Sequence, residues 1–567
     1  MVLPAARYTG RVKIALAQIN PTVGDFTGNI ARILEFAERA KAAGAELAIF
    51  SELASCGYPP ADFLEKKSFV ERAEEALRQI AVQATGDGRM AVLCGGVMAA
   101  GMSAGGKHVR NVAALMDHGK IEFVQQKRLL PFYDVFDEQR YFEPAERQTI
   151  CQWRGRQLAI TICEDAWNDK TFWPRRFYRD DPVEELMQQW DAAPPSERII
   201  LNISSSPYWR GKRGLRTEML AAIAARHKAW VVMVNQVGGN DSLIFDGTSV
   251  GIAPDGKLVA QARSFAEDMV LLDTDTHPVE APRAEEVESA ATWDALVLGT
   301  RDYVSKCGFK QAVIGLSGGI DSALVAAIAV EALGSENVIG VGMPSEFSSQ
   351  GSIDDARTLA ANLGIRFELL GIAGTFDSYL KALEPVFAGT PFGLAEENLQ
   401  SRIRGGLLMA IANKFNALVL TTGNKSEMAT GYCTLYGDMA GALAVIGDVM
   451  KLRVYALSRY ANRNGEVIPQ ATIDKAPSAE LRPGQKDTDS LPPYPVLDPI
   501  LEAYVERYES AAQIAAEQKL DIELVKMVIK LVERSEYKRQ QAAPVLKVTQ
   551  KSFGMGRRFP IAVKVQV

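Results

Sequence analysis

The chain has 567 residues, 47% of them hydrophobic and 23% charged, with 63 Lys and Arg against 69 Asp and Glu for a net charge of -6. At roughly 100–200 residues per domain this length exceeds one ordinary core, and the composition excludes collagen-like, disordered and disulfide-framework proteins. The acidic balance disfavours nucleic acid as a partner, and no apolar run approaches the ~18 residues of a membrane span.

Short β-rich runs alternate with helical stretches, the pattern of α/β layers. In the first half the expected strands are 13–19, 46–50, 91–97, 156–163, 199–203 and 230–235. Between the first two, residues 29–43 carry Ile30, Ile33, Leu34 and Ala37 at helical spacing and stop near Gly44. Residues 274–290 are acidic, hold two prolines and lack apolar periodicity, so they read as a linker between domains 1–273 and 291–567. After it come a helix from about Thr292, a strand at 312–316, a glycine-rich turn, a helix at 321–333, and strands at 338–343 and 417–422. The Pro-rich stretch 477–499 reads as a mobile loop. The tail from Glu536 holds seven Lys and Arg against one acid.

Two stretches carry chemistry. Residues 312–322, AVIGLSGGIDS, run from a strand through glycines into a helix, aiming successive N–H groups and a helix N-terminus at one point, which suits a phosphate. No lysine follows Gly319, so this is not a Walker A loop. Gly315–Gly319 fits a GxSxG nucleophile elbow, but all four histidines precede Ser317, against the chain order of that fold. Asp321 can hold a Mg²⁺ that bridges phosphate oxygens.

The second stretch ends the strand 156–163, on which Leu158, Ile160 and Ile162 face one way and Ala159, Thr161 and Cys163 the other. A cysteine at the carboxyl end of a buried strand is placed where α/β architectures put reactive groups, although an unpaired cysteine is commonly a small hydrophobe. The six cysteines show no CxxC pair and no Cys/His zinc spacing, which points to a reduced, cytoplasmic compartment. Met1–Gln18 also lack the apolar stretch and cleavage site of a secretory signal. Glu52 follows another strand, and Lys127 opens the segment KRLLPFYDVFDEQRYF.

The SGGxDS turn resembles the phosphate loop of the ATP-pyrophosphatases (the PP-loop superfamily), which cleave ATP between its α- and β-phosphates. Glu52, Lys127 and Cys163, in that order and 75 and 36 residues apart, resemble the triad of the nitrilase superfamily. That resemblance implies an α-β-β-α sandwich in which Glu52 is the base, Cys163 the nucleophile and Lys127 the oxyanion holder, with Glu138 supporting the lysine. The chain from about residue 11 to 564 is similar to the glutamine-dependent NAD⁺ synthetases. Further stretches carry the likeness: TTGNKSE from Thr421, YGDMA from Tyr436, and ELRPGQKDTD from Glu480.

For the first half the resemblance implies that Tyr133, Ser206 and Lys212 hold glutamine. For the second, a Rossmann-like parallel-sheet domain, it implies that Gly315, Leu316, Ser317, Gly318, Gly319, Ile320, Asp321, Ser322 and Thr422 bind ATP. Asn398, Glu427 and Lys538 would contact deamido-NAD⁺, with Asp321 and Glu427 as Mg²⁺ ligands, the basic tail near the phosphates and 477–499 as a lid. It further implies an acyl-adenylate intermediate, an ammonia tunnel and a homo-oligomer, commonly an octamer, with small molecules rather than nucleic acid or membrane as partners. Two rivals remain open. One is an ATP-pyrophosphatase amidotransferase using another acceptor, and the other a nucleotide-binding protein with an inactive amidase half.

Overall fold

The computed structural model describes residues 12–101, 106–190, 198–274, 287–478 and 480–564. The chain divides into two compact units, Met1–Asn240 with Ile244–Glu285, and Asp241–Leu243 with Glu286–Val567. Most of the acidic stretch expected as a linker, residues 275–286, lies outside the described residues.

The first unit is built on strands β1 (Lys13–Gln18), β2 (Leu47–Ile49), β3 (Ala91–Ala99), β4 (Val109–Asp117), β5 (Lys120–Gln126), β6 (Cys151–Trp153) and β7 (Arg156–Ile162). They are followed by β8 (Ile199–Ser204), β9 (Trp230–Asn235), β10 (Val237–Asn240), β11 (Leu243–Asp246), β12 (Val250–Ile252), β13 (Leu258–Gln261) and β14 (Asp268–Asp273). Two six-stranded sheets result, ordered β14-β1-β2-β3-β4-β5 and β13-β12-β9-β8-β7-β6. Each has a parallel centre and antiparallel edges.

One face of each sheet meets the other through a shared apolar layer that includes Leu16, Ile49, Leu93, Ile160, Leu201 and Val232. The outer face of the first sheet is covered by helices α1 (Phe26–Ala42) and α2 (Lys67–Thr85). A single-turn helix, α3 (Glu138–Tyr141), follows β5. The second sheet is covered by α4 (Pro182–Gln188) and α5 (Lys212–His227). Strand periodicity of two sends alternate side chains into these layers, and the product is the α-β-β-α sandwich expected from the sequence.

The second unit opens with α6 (Glu288–Lys306) and centres on β15 (Gln311–Gly315), β16 (Val338–Gly342), β17 (Arg366–Leu369), β18 (Ala417–Thr421) and β19 (Leu443–Ala444). All pair in parallel, in the order β17-β16-β15-β18-β19. The chain winds both ways from β15, so a crevice opens at the carboxyl ends of β15 and its neighbours. Helix α7 (Ile320–Leu333) follows β15 and is buried along nearly its whole length, which its apolar run Ala323–Val330 permits.

Helices α8 (Gln350–Leu363), α9 (Ala373–Phe387) and α10 (Leu394–Phe415) precede β18, and α11 (Lys425–Thr430), α12 (Lys451–Ala461) and α13 (Gln470–Asp474) come after it. The stretch 477–499 departs from the mobile loop expected. Asp487 N–H donates to the Pro477 carbonyl at 3.2 Å, Gln400 reaches the Leu481 carbonyl at 3.0 Å, and Tyr494 opens helix α14 (Tyr494–Val505). Pro495 stands in the first turn of α14, where no N–H is needed, so the proline count overstated the loop. Helices α15 (Ala511–Gln518) and α16 (Ile522–Arg534) pack with α14 into a second apolar cluster.

Candidate functional site

Three strand ends of the first unit meet at a buried charge cluster. Strand β7 stops at Ile162, and Cys163 takes a left-handed backbone, φ 44°, to open a tight turn. That bend places Cys163 in the layer between the sheets together with Ile160 and Ile162, and not on the Ala159 side as strand alternation predicted. The Asp165 carboxylate staples this turn to the neighbouring segment by accepting from the amides of Ile162, Arg128 and Leu129 at 3.1, 3.1 and 2.8 Å.

Lys127 is thereby fixed beside Cys163, and its ammonium, fully buried, donates to Glu52 Oε1 at 2.6 Å and to both Glu138 oxygens at 2.9 and 2.8 Å. Glu52 is held in turn by Asn111 Nδ2 at 2.7 Å and the Ser205 amide at 3.0 Å, and Glu138 by the Tyr58 hydroxyl at 2.8 Å. Burial alone would lower the lysine, but the charges of Glu138 and Glu52 keep it well above its ordinary range. Burial, then Glu52, pushes the Cys163 thiol up, so the sulfur stays protonated until a base takes its proton.

Glu164, next to the cysteine, was not singled out in the sequence. Its carboxylate accepts the Tyr133 hydroxyl at 2.9 Å, and burial pushes it up to about 7 against that hydrogen bond and the charges of Lys127 and Lys212. The Glu164 carboxylate therefore takes the Tyr133 hydroxyl directly and feels the charge of Lys212. Lys212 Nζ also donates to the Pro207 carbonyl at 2.9 Å, and the Ser206 amide donates to Asn235 at 2.8 Å. The only sequence signal for Glu164 is an acid directly after the cysteine, and its partners lie 31 and 48 residues away.

In the second unit a cavity of about 320 Å³ opens at the crevice. The turn after β15 forms its floor. Ser317 Oγ accepts the Gly319 amide and lies 3.2 Å from Ser322 Oγ, which donates to the Gly319 carbonyl at 3.0 Å. Gly318 has φ 76°, and a Cβ there would stand 2.2 Å from the Ser352 carbonyl oxygen in α8. Gly315 through Ser322, Thr422 and Glu427 all line the cavity.

Asp321 and Glu427 converge. The Lys451 ammonium pairs with Asp321 Oδ2 and lies 3.8 Å from Glu427 Oε1. Asn424 donates from Nδ2 to Asp321 Oδ1 at 2.9 Å and from its amide to Glu427 Oε2 at 3.1 Å. Burial, then the charge of Asp321, pushes Glu427 up to about 8. Asp321 and Glu427 are oxygen donors of the kind a divalent cation takes. No group of three or more His, Cys, Asp or Glu side chains forms a metal site among the described residues. Lys451 and Asn424 also escaped the sequence reading, since each is recognisable only from what it touches.

Asn398 and Lys538 are not among the residues lining the cavity. Asn398 accepts from Thr434 at 2.7 Å, and Lys538 donates to the carbonyls of Gly431 and Cys433, both at 2.7 Å. Most of the basic tail turns inward. Arg539 and Arg557 pair with Glu536, Arg557 also with Glu533, and Lys547 donates to the carbonyls of Thr549 and Gln550. The expectation that this tail offers its charge to phosphates fails for those three residues, because acids and carbonyls of the same unit already take them.

The carbon-nitrogen hydrolase family matches residues 13–283 and the NAD synthase family residues 292–542. Fold and sites thus define a ligase that joins an amide-hydrolysing unit to an NAD synthase unit. A glutamine-dependent NAD(+) synthetase of Synechocystis sp. is 49% identical, covering 97% of this chain and 98% of that protein, and one of Thermotoga maritima is 41% identical with the same coverage. The solved glutamine-dependent NAD+ synthetase from Acinetobacter baumannii, a complex with adenosine diphosphate, superposes with a TM-score of 0.74 at 38% identity, covering 97% of this chain and 98% of that one. The chain belongs to the glutamine-dependent NAD(+) synthetases.

Proposed function

We propose that the chain converts deamido-NAD⁺, ATP, glutamine and water into NAD⁺, AMP, pyrophosphate and glutamate, with residues 1–273 releasing ammonia and 291–567 consuming it. In the first unit Glu52 accepts the Cys163 thiol proton, and the sulfur attacks the glutamine carboxamide carbon. Lys127 donates to the oxyanion that forms, and Glu52 returns the proton to the departing ammonia. Water activated by Glu52 then cleaves the thioester to glutamate. Tyr133, Ser206 and Lys212 hold the amino-acid end of glutamine, and Glu164 takes its ammonium group.

In the second unit the nicotinate carboxylate attacks the α-phosphorus of ATP, pyrophosphate leaves, and ammonia displaces AMP from the acyl-adenylate. Gly315–Ser322 cradle the phosphates through N–H groups and the start of α7, while Thr422 faces the adenosine and Asn398, Glu427 and Lys538 serve the dinucleotide. Asp321 and Glu427 would hold Mg²⁺, which when bound neutralises pyrophosphate charge. Of the stretch 477–499, the part ahead of α14 covers the adenylate and excludes water, since Pro477, Ser478, Glu480, Leu481 and Asp487 line the cavity. A cytoplasmic homo-oligomer is the expected form; among the described residues no helix is long and apolar enough to cross a membrane.

The observation that carries this reading is one chain holding both a lysine clamped between two buried carboxylates beside a cysteine and a glycine phosphate loop facing paired acids. The test is NAD⁺ formation from deamido-NAD⁺ and ATP, with glutamine or ammonium as donor. Product from both donors supports the assignment, and none from either sinks it.

A further inference from the structure

Three cationic side chains line the cavity of the second unit: Lys451, Lys475 and Arg404. Two already have counter-charges, Lys451 on Asp321 and Lys475 on Asp355 at 3.0 Å. Arg404 has none within ion-pair distance among the described residues. Its Nε donates to the Met343 carbonyl, just past the end of β16, at 2.9 Å, and the two terminal nitrogens of the fork have no protein acceptor there. The charges of Glu480 and Asp438 act on it, but burial outweighs them and pulls the guanidinium down to about 10.

The helix that carries it is fixed closely on both sides. A Cβ on Gly405 would meet the Gly437 carbonyl oxygen at 2.8 Å, and one on Gly315 of the phosphate-loop strand would meet Leu408 of α10 at 3.2 Å. The fork is therefore held at the same cavity as the SGGxDS turn. A partly desolvated guanidinium without a counter-ion is costly, and its planar donors match a phosphate edge. We propose that Arg404 binds a phosphate group of one of the two nucleotide substrates, an inference that rests on the synthetase assignment above.

The test uses the full-length enzyme with ammonium as donor and the variants Arg404→Gln and Arg404→Lys. KM for ATP and for deamido-NAD⁺ is measured, together with the Kd of each nucleotide alone by calorimetry. For Arg404→Gln we expect one of the two nucleotides to lose about 10–100-fold in affinity, as for the loss of a charge-assisted pair. Arg404→Lys, which keeps the charge but not the fork, should fall between. Weakening confined to ATP assigns the group to its triphosphate, and weakening confined to deamido-NAD⁺ assigns it to the dinucleotide bridge.

Affinities within twofold of the unaltered enzyme for both nucleotides overturn the proposal. Should Arg404→Gln fail to fold, Arg404→Lys decides by the same two Kd values. If the unaltered enzyme makes no NAD⁺ at all, the functional assignment falls instead, and the ATP Kd alone still decides Arg404.

Discussion

The two candidate sites balance their charges in opposite ways. In the first unit Lys127 is enclosed by Glu52 and Glu138, with Asn111, Ser205 and Tyr58 occupying remaining lone pairs, so the centre is complete before any ligand arrives. In the second, Asp321 and Glu427 share one lysine, Glu427 is pushed toward its neutral form, and Arg404 offers donors into an open cavity. An uncharged amide requires an environment organised in advance, whereas nucleotide polyanions bring the charge the other centre lacks. Substitutions in the first should therefore damage turnover and folding, and substitutions in the second should damage nucleotide and metal affinity.

The largest contrast is expected from Cys163→Ala. Glutamine-driven NAD⁺ formation should fall by about 10³-fold or more, as for loss of a nucleophile, while ammonium-driven formation stays near that of the unaltered enzyme. Equal loss with both donors would break the division of labour.

Lys127→Met sharpens the stability side. It strands two buried carboxylates, and calorimetry should show the first unit destabilised by about 3–5 kcal/mol. A transition unchanged from the parent would mean that the clamp is not needed for folding.

Asp321→Asn should weaken the Mg²⁺ dependence of ammonium-driven synthesis by about 10–100-fold, the worth of one charged contact. An unshifted Mg²⁺ titration would remove Asp321 from the metal site.

The smallest effect is on pH. Because Glu164 titrates at about 7, its carboxylate form dominates only above that value. KM for glutamine should accordingly fall by about 10-fold between pH 6 and pH 8. Glu164→Gln should flatten that profile, and a profile that keeps its slope in the variant would assign the titration elsewhere.

How much of this was readable in advance follows from the range of the interactions. Strand β15, its glycine turn and Asp321 lie in one continuous stretch whose periodicity and turn chemistry are local, whereas the short strands β17 and β19 of the same sheet gave no such local signal. The pairing of β14 with β1, some 250 residues apart, and the second-unit helices around α14 depend on contacts that no local window holds. At the sites the same rule applies. Cys163 stood out as a strand end, but its left-handed turn reversed the face it points to, because alternation holds only while the strand does. Glu164, Asn424, Lys451 and Arg404 gain meaning from partners that the fold brings near. The tail misled for a related reason, since Glu533, which pairs with Arg557, lies just outside the window that counted its charges.

Gly318 carries a consequence for divergence within the family. With the Ser352 carbonyl where its Cβ would be, the phosphate turn and the first turn of α8 are fitted backbone to backbone. Lengthening the crossover at 343–349 would shift α8 and so reach the glycine turn directly. The exposed joint at 388–393, between α9 and α10, has no such neighbour. Insertions and deletions among related chains should accumulate at the second joint and be rare at the first.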